Sequence, residues 1–275
     1  LGACNKRSDC LTSCIKVDIE LLRSAAIGDL AKVNHCLAHG ADVNVVYKKE
    51  EMGKEFENDE AVAQGQLHNH SINDPEYVYT IGDFEVVPLD ATPLILASRG
   101  GHVAVVERLL AEANLECNKG TRDAHNSLRD RQTALLWASR QGNVAVVRRL
   151  MADSRVDVNA CSAMGFTCFA LAAQQGHLKV VEEFLACPRV RLVGIPSDEK
   201  ALAQWKTMNV DPQALHDKEG SQALEIILAA GGENRCEVVR RCLQDERIRK
   251  FCFDPDCQAL LPNGLRECRP AVTFD

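Results

Sequence analysis

Thr92–Leu110 reads TPLILASRGGHVAVVERLL. It holds no nucleophile, metal cage or phosphate loop. What marks it is recurrence, which is to be sought before local structure. TALLWASRQGNVAVVRRLM begins at Thr133 and TCFALAAQQGHLKVVEEFL at Thr167. In all three the threonine precedes a glycine by nine residues (Gly101, Gly142, Gly176), and two adjacent valines follow that glycine at fixed distance. Two weaker copies flank them, IELLRSAAIGDLAKVNHCLAHGADVN at Ile19–Asn44 and QALEIILAAGGENRCEVVRRCLQDERIR at Gln222–Arg249.

Each unit reads as two short helices. The threonine is an N-cap residue, and the glycine suits a left-handed helix stop. The second helix is amphipathic, with Val105, Val106, Leu109 and Leu110 on one stripe. Neither helix is long enough to be stable alone. Each buries its stripe only against its neighbours, which is the physics of a stacked array.

These residues resemble ankyrin repeats. HGADVN at His39–Asn44, TPL at Thr92–Leu94, GH at Gly101–His102 and Gly176–His177, and VDVN at Val156–Asn159 carry the likeness. The resemblance covers about Asp18 to Arg249. It implies an all-α ankyrin-repeat solenoid of about five helix-turn-helix repeats, joined by β-hairpin fingers and interrupted by long insertions. Residues 1–17 then form an N-terminal extension and residues 250–275 a C-terminal tail. The family histidine after T-P-L is absent, since Ile95, Leu136 and Ala170 occupy that position. The second-helix ends DSRVDVN, CPRVRL and DERIRK share an R-[VI] variant, which suggests a slightly longer turn than the G-A-D form.

Spacing places the insertions. From Thr92 to Thr133 is 41 residues, from Thr133 to Thr167 is 34, and from Thr167 to Gln222 is 55. Against a standard unit of about 33 residues, extra chain lies near KGTRDAHNSLRD and near residues 193–219. The largest insertion is about 45–88. It carries ten acidic and three basic residues of the 39 and 32 in the whole chain, so the net charge of −7 sits there and 29 of each sign remain elsewhere. That balance argues against nucleic-acid binding by bulk positive charge. The end of the insertion, EYVYTIGDFEVV, alternates around Gly82-Asp83 as a β-hairpin does, and Tyr77 and Tyr79 make it a candidate partner surface.

Chemistry is sparse. The thirteen cysteines include no C-x-x-C, and several, such as Cys36 and Cys242, read as small buried hydrophobes. Thiols in a reducing compartment, cytoplasmic or nuclear, fit better than a disulfide framework. His35 and His39 stand four apart on a helix but lack a third metal ligand. His102 and His177 match the family's G-H, a structural hydrogen-bonding position. No catalytic motif, metal site or cofactor is expected. No apolar run reaches the roughly 18–20 residues that span a bilayer.

The resemblance also places the binding surface, on the first-helix face and the fingers. Its residues are Arg99, Arg140, Gln141, Gln174 and Gln175 on the helices, and Arg131, Gln132, Met164 and Phe166 on the fingers. Arginine suits carboxylate recognition, and Met164 and Phe166 read as apolar anchors. The expectation is a monomeric scaffold or adaptor, without catalysis, that binds another protein. Two alternatives stand beside it. One is an inhibitor masking a basic partner surface with the acidic insertion. The other is a regulatory part of a larger enzyme, or a metal protein using the cysteine-rich ends.

Overall fold

The structure is a computed structural model, and it describes residues 6–46, 90–122, 131–162, 165–192, 235–246 and 248. Those residues are helical, with no strand or sheet among them, as an all-α repeat solenoid requires. The chain divides into two compact units, residues 1–134 with 152–156, and residues 135–151 with 157–275. The expected insertions at about 45–88 and 193–219, the tail, Tyr77, Tyr79 and Met164 lie outside the described residues, apart from a few residues at the insertion's edge.

The first unit holds α1 (Lys6–Ile27), α2 (Leu30–Ala38), α3 (Pro93–Gly100) and α4 (Val103–Leu110). The boundary expected between residues 17 and 18 falls inside α1, which runs unbroken for 22 residues. Leu21, Leu22 and Ala25 are fully buried on α1, where α2 and α3 pack against it. α2 starts at Asp29, whose carboxylate accepts from the Lys32 N–H at 3.0 Å. α3 starts at Thr92, whose hydroxyl accepts from the Ile95 N–H at 3.3 Å, with Pro93 at the first helical position. Val105, Val106, Leu109 and Leu110 form the buried stripe of α4.

The second unit holds α5 (Ala134–Gln141, its first residue in the other unit), α6 (Val144–Ala152, likewise for its last), α7 (Cys168–Gln174), α8 (Leu178–Ala186) and α9 (Arg235–Cys242). Thr167 caps α7 through the Ala170 N–H at 3.1 Å. The corresponding hydroxyl of Thr133 is buried and makes no hydrogen bond among the described residues. Phe169, Phe184, Leu135, Leu136 and Leu150 are fully buried, and Trp137 is packed inside at 5% exposure. In the last unit the paired Val238 and Val239 are buried with Cys242.

One device ends each first helix among the described residues. Gly28, Gly101, Gly142 and Gly176 all take positive φ, between 76° and 81°. The N–H after each glycine donates to a carbonyl five residues back, as in Asn143 to Ala138 and His177 to Ala172, both 2.9 Å. This is the left-handed glycine closure that satisfies the last carbonyls of a helix.

The two fingers among the described residues are smaller than hairpins of regular strands. In one, the Ser162 N–H donates to Phe166 O at 3.0 Å and the Gly165 N–H to Ser162 O at 2.9 Å. In the other, the Thr121 N–H donates to Gln132 O at 3.0 Å and the Arg131 N–H to Thr121 O at 2.7 Å. Two residues face one, and the first is left-handed (Gly165 φ 81°, Arg131 φ 58°). That is a β-bulge of the type that favours glycine. The side-chain oxygens of Ser162 and Thr121 each accept a further N–H, from Phe166 and Gln132, both 3.2 Å. Bulge to bulge, the loop spans three residues in one finger and ten in the other. The extra chain read near KGTRDAHNSLRD therefore falls between Thr121 and Arg131, and residues 123–130 of it lie outside the described residues.

Candidate protein-interaction surface

The first helices α3, α5 and α7 are each buried over their first six residues. Residues 93–98 of α3, 134–139 of α5 and 168–173 of α7 are all buried. Arg99, Arg140 and Gln174 are half-buried, and Gly100, Gln141 and Gln175 are exposed. The corresponding pair on α1 is the buried Ala26 and the exposed Ile27. In α3, α5 and α7 packing thus leaves unburied only the register where the sequence places partner contacts, whereas in α1 it buries half of that register.

The backbone of the same residues is engaged. His102 Nε2 lies 2.9 Å from the carbonyl of Ala26, and His177 Nε2 lies 2.9 Å from that of Arg140. A carbonyl only accepts, so Nε2 is the protonated nitrogen in both rings. The rings pack closely against glycines. A β-carbon at Gly28 would stand 2.4 Å from the His102 ring, one at Gly100 also 2.4 Å, and one at Gly142 2.6 Å from the His177 ring. The Arg140 guanidinium lies 5.9 Å from the centroid of the Trp137 ring, within cation–π reach.

The finger positions separate. Arg131 is exposed and Phe166 half-buried. Gln132, expected to face a partner, is wholly buried. It is the second residue of the bulge, tied through its N–H and carbonyl to Thr121, and that turns it inward. Arg122, which the sequence reading passed over, stands at the finger base with its side chain 82% exposed and pairs with Asp90 at 3.2 Å. Its position directly after the bonding Thr121 was the available signal.

Other polar residues are spent on the stack. Arg155 donates from Nη1 to Glu112 O at 2.9 Å and from Nη2 to Leu110 O at 2.5 Å, capping the end of α4. Arg189 does the same for α6, from Nη2 to Met151 O at 3.2 Å. In the two described copies the R-[VI] arginine is therefore a helix C-cap reaching back one repeat. The turn carrying it is also longer by one, since Asn44 follows Gly28 by 16 residues and Asn159 follows Gly142 by 17.

Asparagines tie successive loops. Asn44 gives its amide to Asn114 O and accepts from the Glu116 N–H, both 2.7 Å. Asn159 repeats this with Arg189 O at 2.9 Å and the Arg191 N–H at 2.8 Å.

On the second helices, the residue six past the glycine meets the one seven past it in the next repeat. Asn34 accepts from Arg108 at 2.7 Å, and Glu183 pairs with Arg148 at 2.5 Å. Both patterns were open to a reader comparing repeats position by position.

Among the described residues Cys36, Cys117, Cys168 and Cys242 are free thiols buried in the core. Burial raises the pKa of Cys36 and Cys117, and pushes Cys168 and Cys242 up to about 12. For Cys168, the Ser139 hydroxyl offsets part of that. Among the described residues no three of histidine, cysteine, aspartate and glutamate gather as a metal site. The rings of His35 and His39 stack at 4.0 Å on the surface of α2. No helix among the described residues is long and apolar enough to cross a membrane.

The geometry agrees with the comparison to known families. The family model for ankyrin repeats in three copies matches residues 113–192, and that for a single ankyrin repeat matches residues 90–119. No curated protein sequence matches the chain. Residue by residue, the threonine caps, left-handed glycines, cross-repeat histidines and loop asparagines recur in the matched segment, and residues 90–192 of this chain are ankyrin repeats.

Proposed function

We propose that the chain is a non-catalytic adaptor or scaffold that binds an acidic or polar segment of another protein through the ends of its first helices. Ankyrin repeats generally mediate protein–protein interaction. One observation carries the finer reading. The only positions of α3 and α5 that packing leaves unburied are Arg99 with Gly100, and Arg140 with Gln141. In α7 and its cap they are Gln174 and Gln175. The first unit offers one guanidinium group at these positions, and the second offers one guanidinium group and three amides, which match carboxylates and peptide groups. Phe166, half-buried beside its bulge, adds apolar contact area.

The test is charge reversal in the full chain. The double variant Arg99→Glu/Arg140→Glu should keep its helical circular dichroism and lose roughly ten-fold or more of its captured partner. Equal recovery of the same partners by the variant and the parent chain would overturn the reading.

A further inference from the structure

Two imidazoles stand one turn apart at the end of α2. His35 lies in the last turn of the helix and His39 is its C-cap, and both are exposed. Residues four apart share one face of a helix. Here the rings meet, with centroids 4.0 Å apart and planes inclined by 26°.

The orientation of one ring is fixed. Nδ1 of His39 lies 2.7 Å from the carbonyl oxygen of His35. That oxygen also accepts the His39 backbone N–H at 3.1 Å. A carbonyl only accepts, so Nδ1 carries the proton and Nε2 the lone pair. A ring whose one nitrogen is tied to a main-chain carbonyl, with the lone pair on the other, is the arrangement that metal-binding histidines use.

The surroundings favour a cation. The last carbonyls of a helix form the negative end of its dipole. Burial is the main reason that the thiol of Cys36, next to His35 in the chain, is raised. The carboxylates of Glu20, Asp18 and Asp29 add to it, and Lys32 opposes them. All of these residues belong to the first unit.

We infer that His35 and His39 form a two-imidazole site for a late first-row divalent ion of the zinc, nickel and copper class, with water in the remaining coordination positions. Imidazole selects that class over calcium and magnesium, which take oxygen ligands. Metal–nitrogen bonds of about 2.0–2.1 Å put the two nitrogens about 3 Å apart. The stacked rings reach that separation by opening towards a common point, which exposed side chains do by a change of rotamer. The site lies apart from the ends of the first helices and is independent of what binds there.

The experiment is a nickel titration of the full chain, with the thiols kept reduced by a non-chelating phosphine. Nickel is the probe because thiolate competes more strongly for zinc and for reduced copper. Binding is read from the histidine ring signals in NMR spectra, those of His35 and His39 being assigned by their loss in His35→Gln and His39→Gln. The two rings should broaden together in the parent chain. They should do so ahead of His102 and His177, whose Nε2 atoms are held by carbonyls.

Each single variant leaves one imidazole and removes the chelate. The nickel affinity read at the His39 ring should therefore fall by ten-fold or more in His35→Gln, and that read at the His35 ring likewise in His39→Gln. A merely structural pair would not show this mutual dependence. Broadening of only one ring, or an affinity at one ring that does not change when the other is removed, overturns the site. If His39→Gln disturbs the helical circular dichroism, His35→Gln decides, because it keeps the main-chain carbonyl that holds His39. Arg99→Glu/Arg140→Glu should leave nickel binding unchanged, so this site and the first-helix surface fail separately.

Discussion

The Nε2 of His177 donates a hydrogen bond to the carbonyl of Arg140 at 2.9 Å, while the ring of the same histidine rests against Gly142. One residue thus holds the end of one repeat's first helix with its side chain and stands at the start of the next repeat's second helix. Removing it leaves a partly buried carbonyl unsatisfied. His177→Ala should cost about 1–3 kcal/mol in urea-induced unfolding. His177→Asn should recover less than half of that, because the shorter amide does not span the gap.

Gly142→Ala should be worse than an ordinary surface change, for two separate reasons. Its φ of 76° disfavours any β-carbon, and that carbon would meet the His177 ring at 2.6 Å. The two effects together should cost about 2–4 kcal/mol. In the background of His177→Ala the same change should cost about 1 kcal/mol, the backbone share alone. A double-mutant cycle measures the difference, and equal costs in the two backgrounds would refute the contact.

Arg155 holds two carbonyls at the end of α4 with two different nitrogens. Arg155→Ala should lower the unfolding free energy by about 1 kcal/mol, discounted for solvent exposure. Arg155→Lys should not restore it, because an ammonium cannot reproduce the planar fork. Full recovery by lysine would mean that charge near the helix end, and not the fork, does the work.

Asn159 satisfies an N–H and a carbonyl of the following loop at once. Asn159→Asp keeps the acceptor for Arg191 and removes the donor to Arg189. It should therefore cost less than Asn159→Ala, which is expected to cost about 1–2 kcal/mol. Hydrogen exchange at the Arg191 amide should rise in the alanine variant and stay low in the aspartate variant.

The thiols of Cys168 and Cys242 predict a pH dependence. Burial lifts both to about 12 from an ordinary value of 9.0. A raised pKa means that the folded state holds its proton where the unfolded state has lost it. The contribution to stability is therefore fully present below pH 9 and lost as pH rises from there toward 12. The stability difference between the parent chain and Cys168→Ala should shrink over that window. At pH 8 a thiol reagent should label the half-buried Cys161 and Cys187 well before Cys168 or Cys242.

Much of this was written in the sequence because the repeat imposes one backbone solution many times. The threonine caps at 92 and 167, the glycine stops and the buried valine pairs follow from spacing alone. The G-H histidines were legible as structural, though not which carbonyl each would take. Arg155, Arg189 and the asparagines were harder, since their partners lie in another repeat and no local propensity reveals a contact 30 or more residues away. Gln132 was misplaced for a related reason. Its position next to an exposed arginine says surface, while its N–H and carbonyl are tied to Thr121 and its side chain is buried.

The bonds that join one repeat to the next mostly run from a side chain to main chain. His102, His177, Arg155, Arg189, Asn44 and Asn159 all grip backbone atoms of the neighbour. The gripped residue can therefore change identity without weakening its neighbour's hold. His177 binds the carbonyl of residue 140 whether that residue is arginine, glutamine or alanine. Such a stack can be re-addressed to a new partner by point substitution, one position at a time, while its mechanical continuity stays as it was.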